Sequence, residues 1–242
     1  MSALQEVLRA LKPARGDRHG PLAPLMVALT FVTGVVDAAS YLKLGHVFVA
    51  NMTGNVVFLG FALAGAGGLS ILTSLVAIAA FLLGAFGGGW LGARRAEHRG
   101  YLLRASSLVQ ATLIVVAFLV ALLVSEPLQT GARYGLIVPL ALAMGVQNAA
   151  SQRLAIPELT TTVLTKTLTG LASEVSFTGG PGAQPGRRLL AVVTMLLGAL
   201  TGALLALHVA VYAALAVAAV VVIGVGIAVH LLSRSNPPWT TA

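Results

Sequence analysis

Apolar runs of about 20 residues recur along this chain, and no other feature restricts its fold as much. A helix needs about 20 such residues to cross the hydrocarbon core of a bilayer, and runs of that kind lie at 24–42, 70–92, 105–125, 134–153, 189–208 and 209–232. A transmembrane barrel would instead alternate in polarity over segments of about 10 residues. The composition agrees: 57% of the 242 residues are apolar, 9% are charged, and the mean hydropathy is +0.93. A soluble domain carries about 25% charged residues. The expected class is an all-α integral membrane protein.

Two further segments are ambiguous, both long enough to span but interrupted by polar residues, and the second is too polar to face lipid. Residues 47–66 begin with Asn51, Thr53, Gly54 and Asn55, and residues 158–177 hold Glu158, Lys166 and Glu174. The basic residues decide how to count them. If both segments span, eight Lys/Arg fall inside and six outside. If both are re-entrant, twelve fall inside, only Lys43 and Arg133 fall outside, and Lys166 stays in the membrane. The positive-inside rule selects six spans plus two re-entrant or broken elements. Residues 1–23 are then a solvated basic cytoplasmic tail without a secretory cleavage site, residues 233–242 a second cytoplasmic tail, and both termini are cytoplasmic. Topology accounts for most of the formal charge of +8, so no nucleic-acid partner is expected; the expected partner is the lipid bilayer. A small-molecule or ion substrate and a homo-oligomer are compatible with the sequence, which names neither.

The chain also resembles itself. Gly34-Val35-Val36-Asp37-Ala38-Ala39-Ser40 aligns with Gly145-Val146-Gln147-Asn148-Ala149-Ala150-Ser151 at an offset of 111, with five of seven positions identical. Thr53-Gly54-Asn55 falls on Thr165-Lys166-Thr167, and Gly84 and Gly88 fall on Gly198 and Gly202. Two repeats follow: 24–125 with its re-entrant element at 47–66, and 134–232 with its own at 158–177. Three spans per repeat is an odd number, so the second copy would enter from the opposite side and the repeats would be inverted, an arrangement that brings broken elements together near the midplane of many transporters.

The segments T-G-V-V-D-A-A-S-Y-L at 33–42, V-A-N-M-T-G-N at 49–55, M-G-V-Q-N-A-A at 144–150 and L-T-T-T-V-L-T-K-T-L-T-G at 159–170 resemble the YoaK family of small bacterial membrane proteins. The resemblance covers nearly the whole chain and implies a polytopic bacterial inner-membrane protein with about six spans. It implies no substrate, reaction or catalytic residue.

The candidate binding residues are Asp37, Asn51, Thr53, Asn55, Gln147, Asn148, Thr162, Thr165 and Lys166. A carboxylate late in a span is costly unless it finds a partner. Asp37 is thus either an ion or proton site or a cap on the re-entrant helix, four residues before Tyr41. Asn51, Thr53 and Asn55 surround a glycine where a half-helix could start, and its free N–H groups would attract an anion; alternatively they bond only between helices. Thr162, Lys166 and Thr169 share one helical face, with Thr165 beside them. They suit an anion, although Lys166 could instead pair with Glu158 or Glu174 or snorkel to the interface. Gln110 reads as a bond to a neighbouring helix, and Gly84, Gly88, Gly198 and Gly202 as packing positions. No cysteine is present, the five histidines lack metal-ligand spacing, and there is no nucleophile elbow, P-loop or dinucleotide fingerprint. Neither an enzyme nor a cofactor is expected. The favoured function is a small secondary transporter or channel-like facilitator with a small-anion substrate; the alternative is a non-transporting scaffold or partner subunit.

Overall fold

The computed structural model describes residues 3–13, 19–94, 98–124, 128–156, 165, 167–169, 184–234 and 238–240. The protein is an all-α multi-pass membrane protein. Among the described residues six helices are long and apolar enough to cross a bilayer: α2 (Leu22–Lys43), α4 (Ile71–Arg94), α5 (Arg99–Leu123), α6 (Thr130–Leu154), α7 (Pro185–His208) and α8 (Val211–Leu232). At 1.5 Å per residue each is about 33–38 Å long, against a hydrocarbon core of about 30 Å. The short α3 (Met52–Leu63) is about 18 Å long and cannot cross by itself. An amphipathic α1 (Ala3–Leu11) precedes the bundle.

Several helices begin earlier than the apolar runs, and at α5 and α7 the extra turn has a local support. His98 caps α5, its side chain accepting a hydrogen bond from the Tyr101 N–H at 3.0 Å, which takes in Arg99 and Arg104. Pro185 opens α7, where its missing N–H costs nothing. At the far end of α6, Ala155 adopts a left-handed conformation (φ 47°) and stops the helix.

Neighbour contacts fix the direction of every span. Gly45, just after α2, lies beside the Arg133 guanidinium, and Thr73, near the start of α4, meets the Tyr134 hydroxyl at 3.4 Å. The end of α2 and the starts of α4 and α6 therefore share one end of the bundle. The chain between α2 and α4, which includes α3, therefore begins and ends at that end. At the opposite end, Arg99 donates to the Leu154 carbonyl at 2.7 Å, Gly92 packs on Arg153, and Gly100 lies beside Ser233. Helices α2, α5 and α7 run one way, and α4, α6 and α8 the other. Arg94, Arg99, Arg104, Arg153, Arg188 and Arg234 gather at one end, whereas Lys43 and Arg133 stand at the other.

Helices α2 and α6 lie at the centre, and each is gripped by a glycine-bearing helix from the other half of the chain. A Cβ on Gly34 would collide with backbone of Met195 and Ala199 in α7, and one on Gly198 or Gly202 with the carbonyls of Phe31 or Val35 in α2. The same pattern joins α4 to α6: Gly145 abuts Phe81 and Ala85, while Gly84 and Gly88 abut Leu142 and Val146. The small residues let backbones touch, which in lipid is a main source of packing energy. Leucine, valine and phenylalanine side chains, Phe86 at 77% exposure among them, cover the outside of the bundle. In lipid such a surface needs no polar cover.

Both terminal segments depart from the solvated tails expected of them. Glu6 is buried, and its carboxylate accepts from the Gly186 N–H at 2.9 Å, docking α1 on the first turn of α7. This is a favourable place for an acid, at the positive end of a helix dipole. Trp239 is buried against Gly20, and Thr240 packs beside Gly100.

Candidate functional site

The polar residues of the first half assemble around the stretch that links α2 to α3. After Lys43 the chain turns through Gly45 (φ 98°) and His46 (φ 56°) and runs irregularly to Asn51. Leu44 and His46 still donate to carbonyls of α2, but the amides of Phe48, Val49 and Ala50 find side-chain acceptors. Asp37 supplies one: a single carboxylate oxygen, Oδ1, accepts from the Val49 N–H at 3.0 Å and from the Ala50 N–H at 2.8 Å. Asp37, Val49 and Ala50 are all buried. Asn55, fully buried, reaches back to the same stretch with both ends of its amide. Its Nδ2 donates to the Phe48 carbonyl at 2.6 Å, and its Oδ1 accepts from the Phe48 N–H at 2.9 Å. Asn51 caps α3, its Oδ1 accepting from the Gly54 N–H at 3.3 Å.

Aromatic rings close the outside of this clasp. Phe48 stacks on Tyr41 and Phe58 at centroid distances of 5.1 and 5.6 Å, and His46 meets Tyr41 edge-on at 5.2 Å. Gly54 is required here because a Cβ would enter the Phe48 ring. Of the first-turn amides of α3 expected to attract an external anion, that of Gly54 is held by Asn51, and the amides of Phe48, Val49 and Ala50 just ahead of the helix are held by Asn55 and Asp37. Thr53 is exposed, facing away from the clasp.

A second polar group crosses the middle of the bundle. Gln147 on α6, buried, accepts through Oε1 from Gln110 Nε2 on α5 and donates through Nε2 to Thr33 Oγ1 on α2 at 2.9 Å. Thr33 in turn donates to the Leu29 carbonyl at 3.0 Å. Three helices share one hydrogen-bonded chain. Gln110 takes the interhelical role its sequence position suggests, whereas Thr33 was not among the candidates. Its only sequence signal is a hydroxyl residue one turn before Asp37.

Asp37 and Gln147 belong to separate networks. Asn148, the counterpart of Asp37, is half-buried. In the second half, Thr165 is exposed and Thr167 buried. Thr162 and Lys166, with most of 158–177, lie outside the described residues. Among the described residues one cavity, of about 330 Å³, lies between α5 and α8, and another, of about 260 Å³, lies where the end of α5 meets the start of α8. Neither is lined by a candidate residue. Among the described residues no group of three or more His, Cys, Asp or Glu side chains could hold a metal ion.

Comparison with known proteins places these features in a family. Residues 25–228 match the family described as "Protein of unknown function (DUF1275)". A curated relative, the "UPF0700 transmembrane protein YoaK" of Bacillus subtilis (strain 168), is 34% identical over 155 residues. That match takes in 63% of this chain and 66%, just under two thirds, of the relative. No solved structure matches the chain.

Proposed function

Since the chain belongs to the family of proteins of unknown function DUF1275, we propose that it is a small secondary transporter or channel-like facilitator of the bacterial inner (plasma) membrane, with both termini cytoplasmic. The reading treats the two halves as inverted repeats. In its support, α2 and α5 run opposite to their counterparts α6 and α8, and the glycine contacts of α2 with α7 are repeated between α6 and α4. Inverted repeats with a broken element in each half are a common transporter plan.

The observation that carries the proposal is the seat of Asp37 on the Val49 and Ala50 amides. Two adjacent N–H groups converging on one oxygen make a small anion site, and here a carboxylate of the chain occupies it. The substrate we favour is a small anion that takes the place of that carboxylate. Protonation of Asp37 would remove its charge and weaken both bonds, since bonds to charged acceptors are the stronger ones. The freed amides would then accept an anion, so that one proton and one anion enter together. By their sequence positions, Thr162, Thr165 and Lys166 would supply hydroxyl and cationic ligands from the second half, with Asn148 as the uncharged counterpart of Asp37.

The test is anion flux into liposomes containing the purified protein under an imposed inward proton gradient, using chloride, nitrate and phosphate as probes. The proposal expects gradient-stimulated uptake of at least one probe by the wild type and loss of that stimulation in Asp37→Asn. Uptake equal to that of protein-free liposomes for every probe contradicts it.

A second reading, a non-transporting scaffold or partner subunit, is favoured by one observation. The Gln110–Gln147–Thr33 chain links three helices by hydrogen bonds in the packed interior, which is what interhelical glue requires. The flux experiment separates the two readings.

A further inference from the structure

The cavity between α5 and α8 opens on the outside of the bundle. Its walls, Leu108 at 68% and Ile227 at 55% exposure, face the lipid. Gly226 keeps it open, since a side chain there would fill the space in front of Ser107. Its volume of about 330 Å³ lies within the range of ligand pockets.

The chemistry at its mouth is unbalanced. Arg104 approaches His230 Nδ1 at 3.2 Å, and Arg234 approaches His230 Nε2 at 3.4 Å. A guanidinium only donates, and a neutral imidazole has one lone pair and one N–H. One of the two contacts therefore sets donor against donor, and an acceptor oxygen between them would relieve it. Of the two described carboxylates, Glu6 is bound to Gly186 and Asp37 to Val49 and Ala50. One turn deeper, Ser107 Oγ lines the same cavity, is buried, and has no hydrogen-bond partner among the described residues.

We propose that this groove binds an anionic phospholipid. The phosphodiester sits between Arg104 and Arg234 beside His230. A glycerol ester oxygen accepts from Ser107, about 4.5 Å further into the membrane, and an acyl chain lies along Leu108, Ile223 and Gly226. Basic pockets between helices favour such head groups on the cytoplasmic side, where anionic lipids are concentrated. The other basic residues at this end of the bundle, Arg94, Arg99 and Arg153, add to the attraction.

Native mass spectrometry of the full chain in neutral detergent, offered phosphatidylglycerol and phosphatidylcholine in equal amounts, tests the site. Two guanidiniums predict a preference for bound phosphatidylglycerol of about tenfold or more. Arg104→Gln with Arg234→Gln should bring that ratio close to one, Arg104→Lys should keep it, and Arg133→Gln at the opposite end should leave it unchanged. Ile223→Trp, which fills the groove, should lower retention of both lipids. Equal retention of the two lipids by the wild type overturns the proposal. So does a preference that survives the double substitution, or inorganic phosphate displacing phosphatidylglycerol completely, which would mark a free-anion site. Each variant is paired with its thermal unfolding curve, so that loss of the fold is distinguished from loss of the lipid.

Discussion

Substituting alanine for each glycine of the Gly87-Gly88-Gly89 run, together with Gly84, separates contact from helix propensity within one helix. All four positions lie inside α4, so each alanine gains the same intrinsic preference, about 1 kcal/mol. Their surroundings differ sharply. A Cβ at Gly87 or Gly89 meets nothing within 4 Å, whereas at Gly88 it would come within 2.9 Å of the Val146 carbonyl oxygen, and at Gly84 it would run into the Leu142 backbone. Backbone cannot rotate out of the way as a side chain can, so α4 and α6 must separate. Overpacking of this kind costs about 1–3 kcal/mol. Because the propensity gain cancels, that is also the expected difference between the tight and the open positions, or about 2–4 °C in Tm for each kcal/mol in a chain of this size. The fluorescence of the two tryptophans, one of which is Trp90 in α4, follows unfolding in detergent. Gly87→Ala and Gly89→Ala should match or exceed the wild type, and Gly84→Ala and Gly88→Ala should fall below them. Four equal melting temperatures would refute the close crossing of α4 and α6. On the same reasoning, Gly34→Ala and Gly198→Ala should be destabilised to a similar degree, because the α2–α7 crossing repeats the geometry.

Two other outcomes follow from the fold. Asp37→Ala removes the acceptor of two buried amides; with bonds to charged groups worth about 1.5–3 kcal/mol each, it should lower stability by about 3 kcal/mol or more, while Asp37→Asn, which keeps an oxygen in place, should recover part of that loss, and equal curves for the two variants would argue against the clasp. Because the chain has no cysteine, single cysteines at Gly131 and Ser233 can be labelled in whole cells with an impermeant maleimide; the topology expects reaction at 131 and protection at 233, and reaction at both would contradict it.

The spans were legible because lipid tolerates only continuous apolar helices, so a run of apolar residues becomes a structural fact with little help from tertiary context. The start of α5 was not, because Arg99 and Arg104 interrupt the hydropathy and the cap at His98 is a matter of geometry. The docking of α1 escaped notice for a related reason. Glu6 binds a backbone N–H at Gly186, 180 residues away, and a backbone donor leaves no mark in a sequence. The same limit applies at the clasp. Asp37 is conspicuous as a carboxylate inside a span, which leaves its role as ion site or cap open. The contacts tie it to the amides of Val49 and Ala50, ahead of α3, whose own cap is Asn51, and those partners were invisible because every residue but proline carries the same amide. The start of α3, by contrast, was legible from composition, since Asn51 ahead of Gly54 within an apolar segment supplies the short polar side chain that caps a helix, whereas the bonds of Asn55 to the Phe48 backbone left no such mark.

Hydrogen exchange at the Val49 and Ala50 amides bears most directly on the exchange of carboxylate for anion at this clasp. Peptides covering 47–52 can be followed in the liposome-embedded protein at neutral and acidic pH, with and without the transported anion, and expressed as protection factors to remove the intrinsic pH dependence of exchange. The account predicts high protection at neutral pH, lower protection when Asp37 is protonated, and recovery when the anion is added under acid conditions. Protection that stays the same in all four conditions would contradict it, and would leave Asp37 as a purely structural cap.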